Sequence, residues 1–196
     1  MSDIVLATNN PGKIREFGQM AKEHGINLLP MPAGLDPEET GSTFLENAII
    51  KASAAAALSG LPAVADDSGL EVDALGGRPG IHSARYCEGN DGDRRVKLLA
   101  ELKDVAAEAR GGAFVCAMAM CTPDGRVLHT TEKRWYGRIA FEERGANGFG
   151  FDPIFLLLDR DETSAEITNE EKNILSHRGQ AWRQMLDYIR IGTTSS

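Results

Sequence analysis

A short apolar run that ends in two adjacent aspartates restricts the fold of this chain more than any other stretch. Residues 63–65 (Ala-Val-Ala) are small and apolar, as in a buried strand, and the sequence Asp66-Asp67-Ser68-Gly69 follows them. Adjacent carboxylates repel each other, so one of them requires a cation, a hydrogen-bond donor or a proton nearby. In open α/β sheets, ligands bind beyond the carboxyl ends of strands. We therefore expect the strand to stop at the two acids, which form either an ordinary turn or a metal-binding or catalytic site.

Strands and helices are interleaved along the rest of the chain. Apolar runs, two of them joined by a Pro-Asp-Gly turn, predict strands at residues 3–8, 26–29, 113–122, 126–137 and 154–158. Capping residues and apolar positions at helical spacing predict helices at residues 11–24, 43–59, 91–110 and 176–190. Because no repeat or linker interrupts this order, we expect one α/β domain over residues 1–196, with a frayed tail at 192–196.

Charge and composition exclude several classes of protein. The net charge of −8 argues against a general nucleic-acid surface, which requires a basic face. Three cysteines without a Cys-x-x-Cys pair argue against a disulfide framework or a zinc site. No apolar run approaches the roughly 18 residues that a membrane span needs, and the first residues have no signal-like pattern. We therefore expect a cytoplasmic protein with no membrane or nucleic-acid partner.

Two lysines are candidates for binding an anionic ligand. Lys13 lies in a polar turn at the predicted start of a helix, where free amides and the helix dipole attract phosphate. The turn is not a P-loop, because Ala7 and Ile14 replace the glycine and the hydroxyl residue of that motif, and an ordinary helix cap explains it equally well. Lys51 lies on an alanine-rich helix on the same face as Asn47. It either extends to solvent or contacts a bound anion.

Three further motifs have both a structural and a functional interpretation. The adjacent Glu38 and Glu39 of a proline-rich loop are solvated charges unless the loop folds over Asp67, where carboxylates from both sides could hold a hard cation. The glycine-flanked aromatics of residues 148–153 either anchor a loop or stack on a base, an interaction that contributes about 1–3 kcal/mol. The pair His177-Arg178 at a helix start is either structural or part of a binding site.

Taken together, these motifs resemble the inosine triphosphate pyrophosphatase family, also described as non-canonical purine nucleoside triphosphate (dITP/XTP) pyrophosphatases. Each motif alone is weak, but their common order along nearly the whole chain is specific. The matching runs are residues 5–10, 43–48, 65–70, 76–80, 83–86, 149–153, 171–172 and 176–179.

The resemblance implies a fold, a reaction and an assembly. It implies an α/β fold with a long mixed central sheet, flanking helices and two lobes around a nucleotide cleft. It also implies a Mg²⁺-dependent homodimer that hydrolyses ITP, dITP or XTP to the nucleoside monophosphate and pyrophosphate. Two other functional classes compete with this interpretation. One is a nucleotide sensor without turnover, and the other is a phosphatase with an Asp-x-Asp-x-Thr motif, for which residues 8–10 supply no carboxylate.

The resemblance also assigns roles to individual residues. It implies that Glu38 and Asp67 bind the metal ion, that Asp67 activates the attacking water, and that Ser68 contacts the substrate. Since Phe151 has no hydroxyl, a family member with tyrosine there would make one more polar contact. The implied triphosphate-binding residues are Thr8, Asn9, Asn10, Pro11, Gly12, Lys13 and Lys51. The implied base-binding residues are Phe149, Gly150, Phe151, Asp152, Lys172, His177 and Arg178.

Overall fold

Six strands form one mixed sheet in the computed structural model, which describes residues 3–193, the last three of them by backbone only. The order across the sheet is β2-β1-β3-β4-β5-β6. Strand β1 is parallel to β2 and β3, whereas β6 is antiparallel to β5. This arrangement confirms the predicted mixed central sheet. The strands are β1 (Ile4–Leu6), β2 (Leu28–Pro30), β3 (Ala63–Val72), β4 (Gly111–Cys121), β5 (Val127–Ile139) and β6 (Phe155–Leu156).

Five α-helices accompany the sheet within the described residues. They are α1 (Pro11–Glu23), α2 (Phe44–Ser59), α3 (Asp91–Glu101), α4 (Asn169–Leu175) and α5 (His177–Thr193). None of the helices between residues 3 and 193 is both long and apolar enough to cross a membrane. The predicted frayed tail lies mostly outside the described residues, since only Gly192 and Thr193 are included, as the end of α5.

Strand β3 contradicts the expectation that the chain stops being extended at the two aspartates. Val64 pairs with Leu6, the last residue of β1, and its carbonyl accepts a hydrogen bond from Ala7 N at 2.8 Å. Beyond this point β1 has ended, but β3 continues to Val72 beside β4. The aspartates are therefore neither in a turn nor at the end of their own strand. They lie where the neighbouring strand ends, which leaves that side of β3 open to side chains.

Helix α3 is shorter than predicted because a buried arginine closes its C-terminal end. The guanidinium of Arg110 donates hydrogen bonds to Leu102 O at 2.7 Å and Val105 O at 3.4 Å. It also donates to the carbonyls of Ile139 and Ala140. Leu102 is the C-cap residue, and its carbonyl also accepts a hydrogen bond from Val105 N at 3.0 Å, so the guanidinium connects the turn after α3 to the end of β5. The predicted helix over residues 91–110 therefore ends at Glu101.

The chain divides into two compact units, of which unit 1 contains the described parts of Met1–Asp67, Cys116–Lys133 and Arg178–Ser196. Alternating residues of its strands belong to two apolar clusters, as the two-residue period of a strand requires. Ile4 and Leu6 pack with residues of α1 and α5, where the rings of Phe17 and Trp182 meet edge to face at 5.3 Å. Val5 packs with the alanines of α2 on the other face. Unit 1 is thus a sheet covered on both faces.

Unit 2 contains Ser68–Val115 and Arg134–His177. Its buried cluster draws on β3, α3, β4, β5 and the segment around β6. Aromatic contacts are concentrated in this cluster, where the ring of Phe114 lies 4.3 Å from that of Phe155 and 4.9 Å from that of His177. The predicted base-binding loop is attached to the same cluster through the buried Phe151.

Candidate functional site

The start of α1 is a capped helix terminus. Asn10 Oδ1 accepts hydrogen bonds from Gly12 N at 2.9 Å and Lys13 N at 3.1 Å. Asn10 N donates to Thr8 Oγ1 at 3.2 Å, and Pro11 occupies the first helical position. This local geometry confirms the predicted cap. It also directs the following turn so that the side chain of Lys13 reaches β3.

Asp66 lies at the centre of a buried cluster of charges in unit 1. Its Oδ2 atom is 2.8 Å from Lys13 Nζ and 3.6 Å from Arg178 Nε. Arg178 also donates through Nη1 to Glu16 Oε2 at 2.6 Å. Burial alone raises the pKa of the Asp66 carboxyl, but Lys13, Arg178 and Lys51 outweigh it and hold the pKa well below its usual range. Asp66 is therefore ionised at neutral pH.

Asp67 has the opposite shift, although it is the next residue. Asn47 Nδ2 donates to Asp67 Oδ2 at 3.1 Å, and Lys51 Nζ lies 3.4 Å from Oδ1. Burial raises the pKa of the Asp67 carboxyl above its ordinary value, with Lys51 and Lys13 opposing the rise. For Lys51, burial lowers the pKa of the ammonium, but the facing carboxylates raise it overall. Asp67 is thus a more basic carboxylate than an exposed aspartate, held by two oriented donors.

The acidic loop before α2 brings a second carboxylate to Lys51. Glu39 Oε1 lies 2.8 Å from Lys51 Nζ. The loop is held against α2 by a hydrogen bond from Gly41 N to Asn47 Oδ1 at 2.8 Å. Glycine is needed at this close approach, because a Cβ on Gly41 would lie 2.6 Å from the same oxygen. Asn47 therefore connects the loop to Asp67, a role that the sequence does not predict, although it places Asn47 on one helix face with Lys51.

The arrangement of Glu39 and Asp67 fits a hard divalent cation. Their carboxylates contact the same ammonium group, so their oxygens converge on one cationic centre. No cluster of three or more His, Cys, Asp or Glu residues that could hold a metal ion occurs within residues 3–193. Mg²⁺ is usually bound by one or two carboxylates plus water and substrate phosphate, so two carboxylates are sufficient. Glu39 is the residue of the acidic pair that contacts Lys51, whereas the resemblance implied Glu38 as the metal ligand.

The predicted base-binding residues of unit 2 surround the carboxylate of Asp152. Its Oδ2 accepts hydrogen bonds from Phe149 N at 2.8 Å and from Lys172 Nζ at 2.5 Å, while Ser164 Oγ donates to Oδ1 at 2.8 Å. Lys172 Nζ also lies 4.9 Å from the ring centroid of Phe149. The two aromatics of the loop therefore differ, because Phe149 is half-buried beside a cation whereas Phe151 is buried in the core.

The remaining predicted residues are distributed between the units. His177 is buried and stacks on Phe114 in unit 2, and Ser68 is half-buried directly after Asp67. Arg178 follows His177 but belongs to unit 1, where it contacts Asp66 and Glu16. Its neighbours are thus the charges around Lys13. Nothing local in the sequence indicates this pairing, because Asp66 and Arg178 are far apart along the chain.

Comparisons with known proteins agree with the order of motifs in the sequence. The model of the Ham1 family matches residues 4–188. A dITP/XTP pyrophosphatase of Pectobacterium atrosepticum is 48% identical over 198 residues, which cover 97% of this chain and 99% of the relative. One of Geobacillus kaustophilus is 50% identical over 186 residues, with 92% and 91% covered. The structure of a HAM1 protein from Coxiella burnetii has a TM-score of 0.85 at 42% identity and covers 97% of this chain and 99% of its own. These matches confirm the resemblance seen in the sequence, and the chain belongs to the Ham1 family.

Proposed function

We propose that this protein hydrolyses non-canonical purine nucleoside triphosphates such as ITP, dITP and XTP to the nucleoside monophosphate and pyrophosphate. The observation that carries the proposal is the environment of Asp67. This carboxylate is buried, has a raised pKa and is oriented by Asn47 beside the ammonium of Lys51. The relatives named dITP/XTP pyrophosphatases support the choice of substrate.

The cationic groups of unit 1 supply the charge that a triphosphate requires. The chain as a whole is acidic, with a net charge of −8. Lys13 and Lys51 are nevertheless concentrated beside Asp66 and Asp67 at the end of β1. Lys13 lies in the first turn of α1, where the helix dipole favours phosphate groups, whereas the amides of Gly12 and Lys13 are already bound by Asn10. We assign the triphosphate to these two lysines and to residues 8–12.

Asp67 is the group that accepts a proton from the attacking water. The water attacks the α-phosphorus, the bond from this phosphorus to the bridging oxygen breaks, and pyrophosphate leaves. Phosphoryl chemistry of this kind needs positioning and charge neutralisation more than covalent help from the protein. An ordinary aspartate is a weak base at neutral pH, so the upward shift of the Asp67 pKa favours this role.

We propose that Asp67 and Glu39 hold the Mg²⁺ ion, with Glu39 preferred to Glu38 because it contacts Lys51. A bound Mg²⁺ ion would neutralise phosphate charge and lower the pKa of a coordinated water. Lys51 would then face substrate phosphate in place of the two carboxylates. Glu38 remains the alternative ligand that the resemblance implied.

Selection of the base is assigned to unit 2. A 6-keto purine accepts hydrogen bonds at O6 and donates at N1, whereas adenine has the reverse pattern. The Lys172 ammonium has no acceptor capacity, so a 6-amino group facing it would leave both donors unpaired. A site built for one hydrogen-bonding pattern can reject the other by a factor of about 10⁴ or more. The half-buried ring of Phe149 beside Lys172 provides a stacking surface for the same base.

The assembly and location of the protein remain predictions. The resemblance implies a two-lobed homodimer, and the sequence itself predicts residence in the cytoplasm. Neither a nucleic acid nor a membrane is proposed as a partner.

The test compares ITP, XTP, ATP and GTP as substrates, with Mg²⁺ and with a chelator, for the native protein and for Asp67→Asn. We expect a strong preference for ITP and XTP, release of pyrophosphate, and loss of turnover both with chelator and in Asp67→Asn. The matched control is Asp36→Asn, an exposed aspartate of the loop that carries Glu39, which should remain active. Release of diphosphate and phosphate would contradict the assigned attack site. Tight binding of ITP without turnover would indicate a nucleotide sensor.

A further inference from the structure

Helix α3 binds both backbone polar groups of Gly150, a residue of the predicted base-binding loop. Asp91 Oδ2 accepts a hydrogen bond from Gly150 N at 2.8 Å. Arg95 Nη1 donates a hydrogen bond to Gly150 O at 2.8 Å. Asp91 and Arg95 are four residues apart, so both lie on one face of α3. Neither residue belongs to the motifs that indicated the base-binding site.

Both side chains are themselves held in place. Asp91 Oδ1 pairs with Arg94 Nη1 at 2.8 Å, and Arg95 Nη2 pairs with Glu143 Oε2 at 3.0 Å. Asn90 begins α3 with a reciprocal capping box, which fixes the first turn on which Asp91 lies. Asp91 and Arg95, together called the clamp on Gly150, are therefore each held by a further ion pair within unit 2.

Gly150 connects two aromatics with different surroundings. On one side, Phe151 is buried in the apolar cluster of unit 2 and anchors the loop. On the other side, Phe149 is half-buried, and its amide is bound to Asp152, the carboxylate that also holds Lys172. Gly150 has a φ of +61°, a conformation that residues other than glycine rarely adopt. Its orientation consequently sets the direction of Phe149 relative to Lys172.

We propose that Asp91 and Arg95 are positioning residues that fix the base platform, defined as the ring of Phe149 and the ammonium of Lys172. The proposal rests on the proposed function, because it concerns how the same site recognises its purine. The anchoring of the loop does not require the clamp, since Phe151 and Asp152 are already buried. What the clamp adds is a fixed geometry of the platform, on which selection between a 6-keto and a 6-amino purine depends.

The test is the steady-state kinetics of Arg95→Met and Asp91→Ala with ITP, together with inhibition by inorganic tripolyphosphate, which has no base. We expect KM for ITP to rise about tenfold in each variant, the effect of one lost hydrogen bond to a charged group. The kcat at saturation and the inhibition constant of tripolyphosphate should stay within about twofold, because the phosphate-binding lysines belong to unit 1. Asp91→Asn should largely restore KM, since its amide oxygen can still accept the Gly150 N–H.

The matched control is Glu143→Gln, which removes the other ion pair of Arg95 but leaves its hydrogen bond to Gly150. A role limited to the stability of unit 2 would lower the melting temperature of this variant and of Arg95→Met alike, without a selective rise in KM. If Arg95→Met does not fold, Arg95→Lys replaces it, because lysine keeps the charge but not the planar fork. An unchanged KM for ITP in folded variants, or equal changes in KM and in tripolyphosphate inhibition, would overturn the proposal.

Failure of the proposed function has a separate signature. If the native protein does not hydrolyse ITP, calorimetric binding of ITP to the native protein and to Arg95→Met still tests the platform. An affinity about tenfold weaker in the variant would support the clamp without the enzyme activity. Equal affinities, or no binding to the native protein, would overturn the clamp.

Discussion

Asp66 and Asp67 show how far the surroundings decide the chemistry of a residue. Asp66 is fully buried between Lys13 and Arg178, and these cations keep its pKa low in spite of burial. Asp67 has one amide donor and a more distant ammonium, so burial dominates and its pKa rises. Adjacent residues of one type thereby have opposite pKa shifts, and the raised pKa of Asp67 suits the proton-accepting role that we propose for it.

Replacing Asp66 by asparagine should destabilise the protein in a pH-dependent manner. The change leaves Lys13 and Arg178 without their shared buried carboxylate, which we expect to cost about 3 kcal/mol or more at neutral pH. The folded-state pKa of Asp66 lies below its ordinary value of 3.8, so its contribution is complete above that value and declines as the pH falls below it. Denaturant unfolding of both proteins in chelator, from pH 7 to pH 3, measures this difference.

The control for this experiment is Asp36→Asn, an exposed loop residue whose replacement should change the free energy of unfolding little. A constant difference between Asp66→Asn and the native protein down to pH 3 would show that Asp66 does not stabilise the fold through its charge.

The candidate site could be predicted from the sequence where its members are local, as with Asn47 and Lys51 on one helix face. The pairing of Asp66 with Arg178 could not, because only the tertiary fold joins them.

At the scale of elements, the start of α1 allows the cap and the phosphate site to be separated. Asn10→Asp preserves a side-chain oxygen for Gly12 N and Lys13 N, and aspartate is as good a cap as asparagine. Its negative charge would, however, repel a triphosphate bound beside Lys13. We therefore expect unchanged stability, within about 0.5 kcal/mol for a preserved cap, and a KM for ITP raised at least tenfold. Thermal unfolding and steady-state kinetics measure the two quantities.

Asn10→Ala provides the comparison, since it removes the cap without adding charge. It should cost about 1 kcal/mol of stability and raise KM less than Asn10→Asp does. If Asn10→Asp binds ITP as well as the native protein, the triphosphate does not lie at this helix end, and residues 8–13 would form only a structural cap.

Elements could be predicted from sequence where a local signal begins or ends them. Asn10 before Pro11 marks the start of α1, and Gly60 ends α2 in the left-handed conformation that glycine favours. The end of α3 could not be predicted, because the capping group is the distant guanidinium of Arg110. Likewise, β3 runs through two turn-forming aspartates because β4 continues beside it. In both cases a tertiary interaction outweighs the local preference.

On the scale of the whole molecule, the lysines that we assign to the triphosphate and the platform that we assign to the base belong to different units. Unit 1 contains the lysines and carboxylates suited to phosphates and a metal ion, and unit 2 contains the aromatic ring and the donor suited to a purine. Fragments of the substrate should therefore stabilise the protein through different residues. Tripolyphosphate with Mg²⁺ represents the first fragment, and inosine represents the second.

Thermal unfolding in the presence of each fragment tests this division. A ligand that binds only the folded state stabilises it by about 2.7 kcal/mol at one hundred times its dissociation constant. Lys51→Met should abolish most of the stabilisation by tripolyphosphate and leave that by inosine, whereas Phe149→Leu should do the reverse. Each variant is compared with its own ligand-free form, so that changes in intrinsic stability cancel. If either substitution weakened both fragments equally, phosphate and base recognition would not be separable between the units, and the residues assigned to the two parts of the substrate would have to be reassigned.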